Sequence, residues 1–206
     1  MCQEVFEILQ KMDMSKVETR LALQCAPVIM GIKLSNLLNI FKEDETSMRM
    51  ILEKTGLHYY RLVQQKGRLT YLVFRKTELE VYLQESEVQR FLRKCGYLDM
   101  SLDGILVRFR KRYEAGINKK MNFPHEMGVI LGYPIEDVEG FIQNNGEHYL
   151  YAGYWKVYEC AEEKRLLFDA YESAKEGLVL LVANGYAIQT IIQYIDEYRV
   201  SSTLNI

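Results

Sequence analysis

The side chains best suited to chemistry lie between Phe123 and Tyr158, in FPHEMGVILGYPIEDVEGFIQNNGEHYLYAGYWKVY, where His, Glu, Asp, Lys and Trp are interleaved with glycines and prolines. Pro124 predicts a helix start at His125 and Glu126, whose free backbone N–H groups would hold an anion or keep His125 neutral, fit for a general base or metal ligand. The plainer role is capping, with Glu126 complementing the helix dipole. Val129 stands where a second histidine would complete an HExxH zinc motif, so a zinc protease is excluded. Tyr133-Pro134 predicts a second helix start with Glu136 and Asp137 in its first turn. Asp137 would orient His125 as an acid/base unit if the two converge, and otherwise caps the helix. Further on, Trp155, Lys156 and Tyr158 suit either stacking of a planar ligand or a cation, or a core sheet face.

Outside this stretch, Lys33 and Asn36 follow a bend at Gly31, and with Tyr133, Trp155, Lys156 and Tyr158 they complete the expected ligand-binding set. Cys25 would be a nucleophile if paired with His125, but a lone cysteine on a helix more commonly packs. Arg108, Arg110, Lys111, Arg112, Lys119 and Lys120 form a basic run that suits a phosphate-bearing ligand or an acidic protein, or is simply a solvated face. Leu178–Ala183, a turn, and Tyr186–Ile192 mimic a helix-turn-helix. The second segment lacks the basic reach of a recognition helix, with Arg199 its one cation, so nucleic acid is excluded as a partner.

The elements that must carry these groups follow from periodicity. Apolar spacing predicts helices over the first thirty residues, with a Ser15–Glu18 capping box, a short strand at Lys33–Phe41 and a helix ending at Gly56. Leu57–Gln64 and Arg68–Arg75 flank Gln65-Lys66-Gly67 as a β-hairpin. Two short helices follow, then a longer one from Leu102 to near Gly116, two opened by Pro124 and Pro134, a strand or hairpin at Tyr149–Tyr158, a helix at Ala161–Ala183 and a last helix carrying Ile188, Ile191, Ile192 and Ile195. The terminal SSTLNI is expected to fray. Helices outnumber strands, which defines α+β: a helix-rich single domain over residues 1–185 with a small, largely antiparallel sheet, and a C-terminal helix and tail (186–206) packed on it or lying in a homodimer interface.

The bulk properties bound the function without selecting it. The chain has 206 residues, 49% apolar and 26% charged, and a formal charge of -2, which suits one folded domain and provides no broad attraction to nucleic acid or acidic membranes. Cys2, Cys25, Cys95 and Cys160 form no CxxC pair, so neither a zinc site nor a disulfide framework is expected. Glu4, Glu7 and Asp13 interrupt any signal-peptide core, and the longest apolar run is far short of the ~20 residues of a spanning helix. A cytoplasmic protein with reduced thiols and no membrane partner is expected; the cofactor is left open.

CAPVIMGIKLSNL, VFRKTELEVYL, FPHEMGVILGYPIEDVEGFI and GYWKVY together resemble an uncharacterised domain-of-unknown-function family of anaerobic Gram-positive, clostridial-type bacteria. The resemblance spans roughly Leu21 to Tyr171, leaves the helix after Asn184 outside, and implies no activity, cofactor or catalytic residue. On residues and resemblance together, the expected role is binding of a small ligand or partner protein through the His125–Lys156 surface. The alternatives are an enzyme with His125 as acid/base beside Glu126 or Asp137, and an interaction protein without a pocket.

Overall fold

The computed structural model describes residues 2–119 and 122–203, with the backbone alone for 199–203. Lys120, part of the basic run, lies outside the described residues, as does the side chain of Arg199. In chain order the elements are α1 (Gln3–Lys11), α2 (Val17–Ile29), β1 (Ser35–Phe41), α3 (Glu45–Leu52), β2 (His58–Gln65), β3 (Arg68–Phe74), α4 (Lys76–Leu83), α5 (Ser86–Lys94), α6 (Leu102–Ile117), α7 (Met127–Ile130), α8 (Ile135–Gln143), β4 (Tyr151–Ala152), β5 (Lys156–Val157), α9 (Ala161–Ala183) and α10 (Ile188–Thr203). This is an α+β chain. Its larger sheet has the order β1-β3-β2, and β4 pairs with β5 in a separate ribbon.

By its internal contacts the chain falls into two compact units, one made of Met1–Tyr59, Gln64–Arg75 and Tyr171–Ile206, the other of Tyr60–Val63 and Lys76–Ala170. In the first, β1 runs antiparallel to β3 from Ser35 opposite Phe74 to Phe41 opposite Arg68. Lys66 and Gly67, both at positive φ, turn β2 into β3, the backbone that a tight two-residue hairpin requires. Leu38 and Ile40 of β1 and Leu69, Tyr71 and Val73 of β3 pack into one core with Leu21, Cys25 and Val28 of α2. The apolar stripe of α10 joins it: Ile188, Ile191 and Ile192 are buried beside Leu178 and Val179 of α9.

In the second unit α6 buries Leu102, Ile105, Leu106, Phe109 and Tyr113, residues at helical spacing on one face. Ser101 caps it, its hydroxyl accepting from the Gly104 amide at 3.1 Å, and Asp99 in turn accepts from the Ser101 hydroxyl at 2.7 Å.

Four local expectations change. Ser15 forms no capping box, because its hydroxyl and amide both donate to Asp13 and α2 starts beyond it with Lys16 at the uncapped N-terminus. Pro124 opens a tight turn, the Met127 amide donating to its carbonyl at 3.1 Å, and the helix that follows has only four residues. Such a helix is too short for its dipole to act on His125. Arg112, expected in a solvated basic face, turns inward to Glu126, whereas Arg108, Arg110 and Lys111 are exposed. The backbone stays helical through Thr203 where fraying was expected from Ser201, while Leu204–Ile206 lie outside the described residues.

Candidate functional site

The site is built on α8 and the β4–β5 ribbon, and Asp137 ties them together. Asp137 is 2% exposed. Its Oδ2 accepts from the Trp155 indole N–H at 2.7 Å, and its Oδ1 accepts from the Tyr158 amide at 2.7 Å and the Glu159 amide at 3.3 Å. These three N–H donors meet both oxygens of the buried carboxylate, and the pairing fixes the indole in place. Trp155 then stacks on Tyr133, ring centroids 4.6 Å apart, and meets Phe168 edge-on at 4.5 Å.

Glycines allow these pieces to approach. A Cβ at Gly140 would stand 2.6 Å from the Tyr158 ring, at Gly128 2.7 Å from Val138, and at Gly153 2.3 Å from Phe168. Gly132, at φ 73°, reverses the chain after α7 so that the Tyr133 amide donates back to the Gly128 carbonyl at 2.8 Å. The glycines and Asp137 of the conspicuous motifs therefore serve packing first.

What these contacts leave open is a cleft of about 600 Å³, a size that suits a small organic ligand. Rings of Phe123, Tyr133, Phe141, Tyr154 and Trp155 line it, with His125, Met127, Val138, Asp137 and Lys156. Burial raises the Tyr133 phenol above its ordinary range, so that ring presents a neutral face. His125 is exposed and its ring lies against Phe141 at 5.4 Å; its carbonyl accepts from the Gly128 amide at 3.1 Å, while its imidazole makes no hydrogen bond among the described residues. Lys156 is half-buried; its Nζ donates to the Gly146 carbonyl at 2.6 Å and sits 4.7 Å from the Tyr149 ring centroid and 5.9 Å from that of Phe141.

The nominated residues thus separate. His125, Tyr133, Asp137, Trp155 and Lys156 line one cleft. Glu126 is not among its lining residues: at 1% exposure it takes the Arg112 guanidinium through both carboxylate oxygens and the Tyr97 hydroxyl at 3.2 Å. That pairing raises the Arg112 pKa further. Tyr158 packs over Gly140, and its hydroxyl is buried with no partner among the described residues. Lys33 and Asn36 belong to the first unit, where Lys33 Nζ donates to Asn36 Oδ1 at 2.6 Å and Asn36 Nδ2 donates to the Gln24 carbonyl. Burial lowers the Lys33 pKa to about 8 and pushes the neighbouring Cys25 thiol up to about 12.

Phe123, Phe141 and Tyr154 went unrecognised in the sequence. Phe141 had a usable signal, since it follows Asp137 by one helical turn and so shares its face. Among the described residues no group of three or more His, Cys, Asp or Glu is placed to hold a metal ion, and no helix is long and apolar enough to cross a membrane.

An α+β protein with an aromatic cleft assembled from three separated motifs is the class that fold and site define. The chain belongs to the family of proteins of unknown function DUF3793, whose pattern matches residues 21–192. That span holds every cleft residue and runs into α10, so the helix after Asn184 is not wholly outside the shared region. No curated protein and no solved structure matches the chain.

Proposed function

We propose that this protein binds a small organic ligand in the aromatic cleft. The observation that supports this best is that FPHEMG, LGYPIEDVEGF and GYWKVY, separated in sequence, each contribute to the walls of a single cleft. Stacked and edge-on rings favour a flat apolar body, and His125 provides an uncommitted donor or acceptor at its edge. An acid/base pair would need a carboxylate to orient the imidazole. Asp137 and Glu126 are committed to Trp155, two backbone amides, Arg112 and Tyr97, so we read His125 as a ligand contact.

Trp155 is the single tryptophan of the chain and reports on the cleft directly. In an NMR screen of flat aromatic fragments, hits should shift the amides of Tyr133, Val138 and Gly153–Lys156 and change Trp155 emission. Ala152→Trp, at an exposed lining position, should fill the cleft and abolish the amide shifts. Fragment shifts that avoid these amides, or that persist in Ala152→Trp, would remove the proposal.

A further inference from the structure

We infer that the ligand of this cleft is a flat aromatic acid, an apolar ring system carrying a carboxylate or similar anionic group that Lys156 receives; the inference rests on the binding reading above. The cleft's two formal charges are in opposite situations. Asp137 is saturated by the Trp155 indole and the Tyr158 and Glu159 amides, so its charge is met from within. Lys156 has no carboxylate partner among the described residues. Its ammonium has three donors, one of which is given to the Gly146 carbonyl, and it stands over the rings of Tyr149 and Phe141.

A half-buried ammonium held by a carbonyl and two rings is positioned but not neutralised. Rings attract a cation without removing its charge, and the two remaining donors are directed by the first hydrogen bond and cannot scatter freely. An anionic group on the ligand would complete the set with charge-assisted bonds. A cationic ligand, which an aromatic lining alone would welcome, meets the Lys156 charge instead. His125 lines the same cleft and has an N–H to offer an anionic ligand whether its ring is neutral or charged.

The test compares 2-naphthoate, 2-naphthalenemethanol and 2-naphthylmethylamine, which share one flat body and differ in charge, titrated into the full chain by calorimetry and followed by Trp155 emission. The acid should bind about tenfold more tightly than the alcohol, as expected for one charge-assisted pair, with the amine weakest. Lys156→Met should bring acid and alcohol to equal affinity, and Lys156→Arg should keep the preference. Equal binding of all three by the unaltered chain would overturn the inference and leave the cleft reading standing; binding of none would remove both. A preference for the acid that survives Lys156→Met would also overturn it. The comparison on the unaltered chain decides the matter even if Lys156→Met does not fold.

Discussion

Two clefts of nearly equal size, about 600 Å³ in the second unit and about 630 Å³ in the first, have opposite chemistry. The cleft of the first unit lies where α1 ends and α2 begins and where α9 ends ahead of α10, and it is lined by Lys11, Asp13, Lys16, Glu18 and Thr19 with Ile8, Met12 and Tyr186. Its formal charges cancel. Its lining also draws on helix termini of both polarities, the ends of α1 and α9 and the start of α2, so no single sign of terminus dominates. Nothing in that lining selects a ligand. In the aromatic cleft the charges are unequal in their surroundings, one anion internally satisfied and one cation not, and the rings add a preferred shape. Volume therefore does not pick out a site; uncompensated groups in an ordered wall do. The wall formed by α1 and the start of α2 also precedes residue 21, where the family match begins.

The hardest test of this contrast is Asp137→Ala. It would strand the Trp155 indole N–H and the Tyr158 and Glu159 amides, and with about 1 to 3 kcal/mol for each buried donor left unpaired, a loss of at least about 3 kcal/mol is expected in denaturant titration, with a shift in Trp155 emission. A loss below about 1 kcal/mol would mean that Asp137 does not hold the cleft together.

A smaller effect separates the two lysines nominated from the sequence. Lys33 in the first unit has its pKa lowered to about 8 from an ordinary 10.5, so between those values the folded chain releases a proton that the unfolded chain keeps, and stability rises with pH. Cys25, raised to about 12 from 9.0, acts oppositely above pH 9, because there the unfolded thiol ionises and the folded one does not. Their sum is a rise of about 1 kcal/mol confined to pH 8–9. Lys33→Met should flatten that segment and leave naphthoate binding unchanged; a rise that persists in the variant would show that another group causes it.

The smallest expected effect lies in the polar cleft. Thr19 is 2% exposed, and its hydroxyl has no hydrogen-bond partner among the described residues. Thr19→Val should thus be neutral or stabilising within about 1 kcal/mol by thermal melting. A destabilisation beyond that would mean the hydroxyl is hydrogen-bonded in solution, and that this cleft is more selective than its balanced charges imply.

Much of the fold was legible because local rules and tertiary packing agree. The stripe Ile188, Ile191, Ile192 marks a helix by period alone, and burial in the core requires the same face. The Lys66-Gly67 turn announces its hairpin because few residue pairs tolerate its backbone. Where two local options compete, sequence was a poorer guide. Ser15 had a capping partner at the right spacing, but Asp13 is nearer and took its hydroxyl. Arg112 reads as one more cation in a basic run, yet it is the one turned toward Glu126.

The sequence by itself determined the α+β class, the element order and the concentration of ionisable, aromatic and glycine residues in the Phe123–Tyr158 stretch, because periodicity, turn residues and motif density are properties of neighbours along the chain. Only the tertiary structure decided what each motif residue does. His125 and Glu126 are adjacent and chemically alike in promise, but one is exposed at a cleft wall and the other is buried against Arg112 and Tyr97. Asp137 could have oriented His125 or capped a helix; in the fold it accepts from Trp155 and from the backbone beyond it. The physical reason is that a polar side chain's role is set by which donors and acceptors can reach it once water is excluded, and those partners come from residues 14 to 29 positions away, beyond the range over which local spacing carries information.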